Sequence, residues 1–328
     1  MASTTITEAE GKEVTLHIPN LVNVFKDGSI ERLQNSPLVP PSLDGSSPVS
    51  SKDVVISNSP SISARLYLPT KFIQHNTHAH RVPILVYFHG GGFFFESAFN
   101  ELHHNYFNSF LSKAEADILV VSVEYRLAPE IPLPAAYHDC WQALQWVVDN
   151  SNDDPWILKH GELQRVFLGG DSAGANIVHN IAMRAGVEAL PNGVKVFGAF
   201  LSQPYFFSSK PIGSEAVEGH QETPPYLVWG LVYPNAPGGV DNPMINPLAA
   251  DAPSLANLGC SKIIVLVAEK DFVRDRGVSY YEAVKNSGWH GHVELYEAQD
   301  EDHTFNIHSP QSPNALKLMK RLAHFILH

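Results

Sequence analysis

Beyond about residue 60, short runs of apolar, β-branched residues alternate with stretches whose apolar positions recur at helical spacing. The runs are "SARLYLP", "PILVYFHG", "ADILVVSVEY", "RVFLGG", "VFGAFLS", "KIIVLVAE" and "HVELYE", each of strand length. Those in the middle are apolar without interruption, which suits strands covered on both faces. Between them "HDCWQALQWVVDN" and "SAGANIVHNIAMRAG" carry amphipathic helical patterns, and "NALKLMKRLAHFIL" closes the chain in the same way. The alternation predicts an α/β fold with a mostly parallel central sheet flanked by helices.

Two regions depart from it. Residues 1–50 are irregular, with a hairpin predicted about Asp27-Gly28 in "LVNVFKDGSIERL" and a Pro/Ser-rich stretch after it. This segment is expected to wrap or cap a core formed by residues 51–328. From about 203 to 253 the chain is rich in Pro, Gly and aromatics, with one helix expected at its centre. An insertion of this kind between two sheet strands is expected to form a lid over the carboxyl edge.

Composition narrows the function. The 328 residues are 44% hydrophobic and 17% charged, enough to bury a large core and a pocket. A net charge of −12 with no Lys/Arg cluster speaks against nucleic acid and anionic membranes as partners. No apolar stretch approaches the roughly 18 residues of a membrane span. Cys140 and Cys260, the two cysteines, are too few for a disulfide framework and lack metal-ligand spacing. Both are expected as buried thiols in a reducing compartment. The N-terminus lacks the basic start and apolar run of a signal peptide. A cytoplasmic protein is expected, acting on a small molecule as a monomer or weak homodimer, with no cofactor and no metal.

The chemistry centres on Gly170-Asp171-Ser172-Ala173-Gly174. This is the spacing of a nucleophile elbow, in which flanking glycines permit a turn tight enough to expose a strained serine above the sheet. The strand before it and the helix after it are predicted independently. A serine needs a base, an acid and an oxyanion site. "YFHGGGFFFES" places three glycines directly after a strand, and the N–H groups of Gly91, Gly92 and Ala173 are the predicted oxyanion donors. Of 17 histidines, His303 fits the base best, because its loop follows the last strand and precedes the last helix. His308 is expected at the surface, His89 beneath the glycine loop and His179 on the helix after the elbow. The acid is expected after "KIIVLVA": Asp271 in the turn is preferred over Asp275, whose plainer role is an ion pair with Arg274 or Arg276. The order Ser172, Asp271, His303 is that of an α/β-hydrolase. Phe93, Phe94, Tyr205, Phe206 and Trp229, and beyond these Phe95, Phe99, Phe207 and Tyr233, are candidates for an aromatic substrate pocket; the plainer reading is that several pack a lid onto the core. Arg126, Glu130 and Asp139 read as loop braces.

"HGGGF", "YRLAPE", "LPAAYHD", "GGDSAGAN" and "EDHTF" resemble the plant carboxylesterases of the hormone-sensitive-lipase branch of the α/β-hydrolases. The likeness extends to "FKDGSIERL", "SKPIGSEAVEGH" and "YPNAPGG", phrases similar to those of the 2-hydroxyisoflavanone dehydratases built on the same scaffold. The resemblance implies a Ser-His-Asp carboxylesterase acting on small acyl, aromatic or plant-metabolite esters. Dehydratase-like lyase or cyclase chemistry is the alternative, and a hormone receptor of this scaffold, which lacks the catalytic histidine, is a third. The dehydratases typically carry threonine at the position of Ser172 and alanine at that of Gly92. This chain has the residues that favour hydrolysis at both.

Overall fold

In the computed structural model, residues 12–34, 36–43, 45, 47–74, 81–149 and 153–328 are described. Residues 1–11, 35, 44 and 46 of the expected wrap therefore lie outside the described residues. The chain opens with a small antiparallel sheet of β1 (Val14–Ile18), β2 (Val22–Phe25) and β3 (Ile30–Arg32). The hairpin predicted about Asp27-Gly28 joins β2 to β3; there the Asp27 carboxylate accepts from the Ser29 N–H and hydroxyl.

The main sheet contains β4 (Val49–Asn58), β5 (Ser61–Pro69), β6 (Val82–Phe88), β7 (Leu119–Glu124), β8 (Gly161–Asp171), β9 (Val196–Ser202), β10 (Lys262–Ala268) and β11 (His292–Ala298). Their spatial order is β11-β10-β9-β8-β6-β7-β5-β4. The six strands from β11 to β7 are parallel, while β5 and β4 add antiparallel pairs at one edge.

Every residue of β6 is buried, as its unbroken apolar run requires. Alternate side chains feed two separate cores. Ile84, Val86 and Phe88 point to one face and pack beneath the helices Ala135–Val148, Ala173–Ala185 and Arg274–Asn286. Leu85 and Tyr87 point to the other, beneath Glu101–Lys113 and Pro313–Leu327. The carboxyl ends of the parallel strands are thus left for loops. The chain between β9 and β10 holds the helix Pro224–Val232, which packs against β1. Among the described residues no helix is long and apolar enough to cross a membrane. Both cysteines are free; Cys140 is buried as expected, but Cys260 only partly so.

Candidate active site

Four loops at one edge of the sheet meet around Ser172. The serine follows β8 directly and opens the next helix with φ +51° and ψ −114°. That conformation costs a residue with a Cβ about 1–3 kcal/mol and persists only where its surroundings enforce it. The flanking glycines explain how they do. A Cβ on Gly170 would lie 2.5 Å from the Gly174 carbonyl carbon, and one on Gly174 would lie 1.9 Å from the Phe88 carbonyl oxygen. Only with both absent can the helix start press onto β6 and turn the serine outward.

The structure brings Ser172, His303 and Asp271 together. His303 Nε2 is 2.8 Å from Ser172 Oγ, and His303 Nδ1 is 2.9 Å from Asp271 Oδ2. The second Asp271 oxygen accepts from the Val273 N–H at 3.0 Å, and Asp271 is buried in the turn after β10. With the Nδ1 proton donated to the Asp271 carboxylate, the Nε2 lone pair is left for the serine hydroxyl. Gln203 steadies the histidine loop, its Oε1 accepting from the Thr304 N–H at 3.2 Å. Nothing in the sequence pattern singled out Gln203.

After β6, Gly91 and Gly92 adopt φ +85° and +58°. A Cβ on Gly91 would lie 2.2 Å from the Phe95 carbonyl oxygen, so no larger residue fits without moving backbone. Among the described residues, the N–H groups of Gly91, Gly92 and Ala173 donate to no protein acceptor. Ala173 also begins a helix, whose dipole favours negative charge at that end. The neighbouring Gly90 N–H donates instead to Asp171 Oδ1 at 3.0 Å, which also accepts from the Tyr87 hydroxyl at 2.5 Å. The loop is held from the N-terminal sheet as well. Arg32 donates to the carbonyls of Phe94 and Ala128 and pairs with both oxygens of Glu130.

The rival candidates are engaged elsewhere. Asp275 accepts from the Ser214 N–H and hydroxyl at 2.7 and 2.9 Å and pairs with Arg274. His89 is buried under the glycine loop, its Nδ1 3.0 Å from the Gly90 carbonyl and its ring stacked on Tyr125. His179 is buried with its Nδ1 2.9 Å from the Tyr280 hydroxyl. Burial pushes both histidines down to about 3, so neither is charged at neutral pH. His308 is exposed, though it also borders the cavity. Arg126 holds the buried Asp139 in a two-point pair of 2.8 and 2.6 Å, a brace as expected.

A cavity of about 340 Å³ opens over Ser172. Phe94, Phe95 and Tyr205 line it as anticipated. Phe93, Phe206 and Trp229 do not, which corrects the sequence expectation. Phe93 is fully buried against Tyr137, Tyr205 and Trp229, and Trp229 is locked by its indole N–H to the Gly239 carbonyl. Phe206 packs on Tyr280 and, with Phe207, faces a different cavity. Phe99 and Tyr233 are likewise absent from the wall. Their places are taken by residues the sequence did not flag, including Pro19, Leu21 and Gln34 from the N-terminal sheet, Pro225 and Val228 from the insertion, and Phe272 beside Asp271.

A serine, an imidazole and a buried carboxylate in hydrogen-bond sequence, set at the carboxyl edge of a mostly parallel sheet, are the arrangement of the α/β-hydrolase class. The model of the alpha/beta hydrolase fold family matches residues 85–307, and the chain belongs to that family. Its relatives include a protein named 2-hydroxyisoflavanone dehydratase from Glycyrrhiza echinata, 52% identical over the whole of both chains. Another is probable carboxylesterase 1 of Arabidopsis thaliana, 40% identical over 92% of this chain and 94% of its own. Among solved structures, the Pyrobaculum calidifontis esterase superposes with a TM-score of 0.67 at 28% identity, over 86% of each chain.

Proposed function

We propose that the protein is a serine carboxylesterase hydrolysing small carboxylic esters with an acyl or aromatic body. The observation that carries this reading is the continuous relay from Ser172 Oγ through His303 to Asp271 at the floor of a largely apolar cavity. His303 Nε2 takes the serine proton as Oγ attacks the ester carbonyl. Asp271 holds the imidazolium that results. The N–H groups of Gly91, Gly92 and Ala173 receive the oxyanion. The protonated histidine then gives its proton to the leaving alcohol, and water, deprotonated by the same nitrogen, releases the acid and restores the serine. No step calls for a cofactor or metal. The free thiols support a reducing, cytosolic setting.

One observation favours a second reading, the 52% identity to a protein named as a dehydratase. In it His303 removes a carbon-bound proton beside a ketone, the glycine N–H groups hold the enolate, and Ser172 assists departure of the β-hydroxyl as water. A fluorophosphonate separates the two readings. Stoichiometric labelling of Ser172 with loss of 4-nitrophenyl butyrate hydrolysis is expected; an unlabelled enzyme that dehydrates a 2-hydroxyisoflavanone would overturn the esterase reading.

A further inference from the structure

The imidazole of His303 is partly exposed. Beyond its two relay partners it meets the Phe272 ring at 4.7 Å, and that ring is itself exposed. Packing alone therefore holds the imidazole loosely, and the backbone that carries it must supply the rest. That backbone is strained at the next residue. Thr304 has φ +53°, a conformation that a β-branched residue adopts only where its surroundings enforce it. The peptide group joining His303 to Thr304 is gripped at both ends. Its carbonyl accepts from the Thr304 hydroxyl at 2.8 Å, and its N–H donates to Gln203 Oε1 at 3.2 Å.

Gln203 is 0% exposed, and an amide buried so completely costs free energy unless a partner offsets it. Because the Thr304 N–H needs an acceptor, the amide atom facing it is the oxygen, which also accepts from the Ser202 hydroxyl at 3.3 Å. Nε2 has no hydrogen-bond partner among the described residues, so the polar hold of the side chain is through the oxygen. The backbone of Gln203 is left-handed as well, φ +45°. Its own N–H donates at 2.8 Å to the Leu266 carbonyl of β10, the strand that leads to the Asp271 turn. One residue earlier, the Ser202 carbonyl accepts the Ser172 N–H at 2.9 Å. The end of β9 is thus bonded to each of the three segments that bear the relay.

We propose that Gln203 is a positioning residue, whose amide oxygen holds the His303–Thr304 peptide in the one orientation that brings Nε2 to the serine and Nδ1 to Asp271 together. It does not line the cavity over Ser172 and acts through the backbone of the histidine loop. This inference rests on His303 being the base of the proposed esterase.

Three variants test it. Gln203→Met keeps the length and loses the acceptor, Gln203→Asn keeps the amide and withdraws it by one methylene, and Gln203→Glu keeps an oxygen at full reach. The first two are expected to lower kcat for 4-nitrophenyl butyrate by about 10- to 100-fold with KM within about twofold of wild type, the pattern of a misplaced catalytic group. Gln203→Glu is expected to retain most of the rate. A second readout is the far-downfield proton NMR signal of the hydrogen shared by His303 Nδ1 and Asp271, assigned by its loss in His303→Gln. It should broaden or vanish in Gln203→Met and Gln203→Asn and persist in Gln203→Glu. Lower thermal stability with rate and signal unchanged, or equal losses in Gln203→Met and Gln203→Glu, would overturn the role; Gln203→Asn keeps the test open if Gln203→Met does not fold. The signal is read without turnover, so a wild-type protein that cleaves no ester would overturn the esterase reading and leave this inference to stand or fall on the signal.

Discussion

Replacing Asp271 by asparagine tests the relay at its most sensitive joint. The wild-type carboxylate accepts on both oxygens, from His303 Nδ1 at 2.9 Å and from the Val273 N–H at 3.0 Å. Asparagine has one accepting oxygen. If that oxygen stays with the Val273 N–H, the amide NH₂ faces His303 Nδ1. The ring must then present a lone pair there and carry its proton on Nε2, against Ser172 Oγ, where it can no longer act as a base. If the amide flips, two N–H groups collide at Val273, so the first arrangement wins. The overall shape is unchanged, and the loss comes from the wrong tautomer. It should amount to about 10⁴-fold in kcat, or about 5 kcal/mol of barrier. The assay is steady-state hydrolysis of 4-nitrophenyl butyrate, with a thermal melt to show that the fold persists. Asp275→Asn is the matched control, since its carboxylate serves Ser214 and Arg274, and it should leave kcat nearly unchanged. A loss from Asp275→Asn as large as that from Asp271→Asn, or a fall of less than tenfold from Asp271→Asn, would refute the assignment.

Two further outcomes follow from the geometry. Gly91→Ala forces a Cβ against the Phe95 carbonyl at a backbone angle that alanine resists; displacement of one oxyanion donor should cut kcat by about 10²- to 10³-fold, and wild-type turnover in a folded variant would argue against that role. The second concerns pH. His179 is held down to about 3 by burial, below its unfolded value, so the unfolded chain binds the extra proton and stability falls as pH drops through the unfolded value. Between pH 7.5 and 5 this group should remove about 2 kcal/mol, measured by urea unfolding, and His179→Phe should flatten the decline by that amount; an unchanged slope would contradict it.

The parts legible in the sequence were those written in local signals. An apolar run followed by glycines, or by a charged turn, marks where a parallel strand ends, and such ends hold Gly91, Ser172, Asp271 and His303. The helix Glu101–Lys113 escaped notice because its buried face carries the polar residues His103 and Ser109 among its aromatic and apolar ones. The edge strand β4 was hidden by its polar, half-exposed composition. The cavity wall was the least legible part, for a physical reason. A large aromatic side chain serves core or pocket equally well, and which it does depends on neighbours distant in sequence. Phe93 and Phe94 are adjacent and both buried, yet only Phe94 borders the cavity. Likewise nothing local to Pro19 or Leu21 points toward Ser172.

The contacts of Arg32 and the positions of Pro19, Leu21 and Gln34 divide the labour of this chain unevenly. The first three strands and the turns that flank them supply no atom to the proton relay, yet the turns shape part of the space above it and Arg32 anchors the loop beside it through the Phe94 carbonyl. Variation in that small sheet can therefore alter which molecules are admitted while the reacting groups stay as they are. The relatives named for dehydration and for ester cleavage share one scaffold on which such a division leaves room for different substrates.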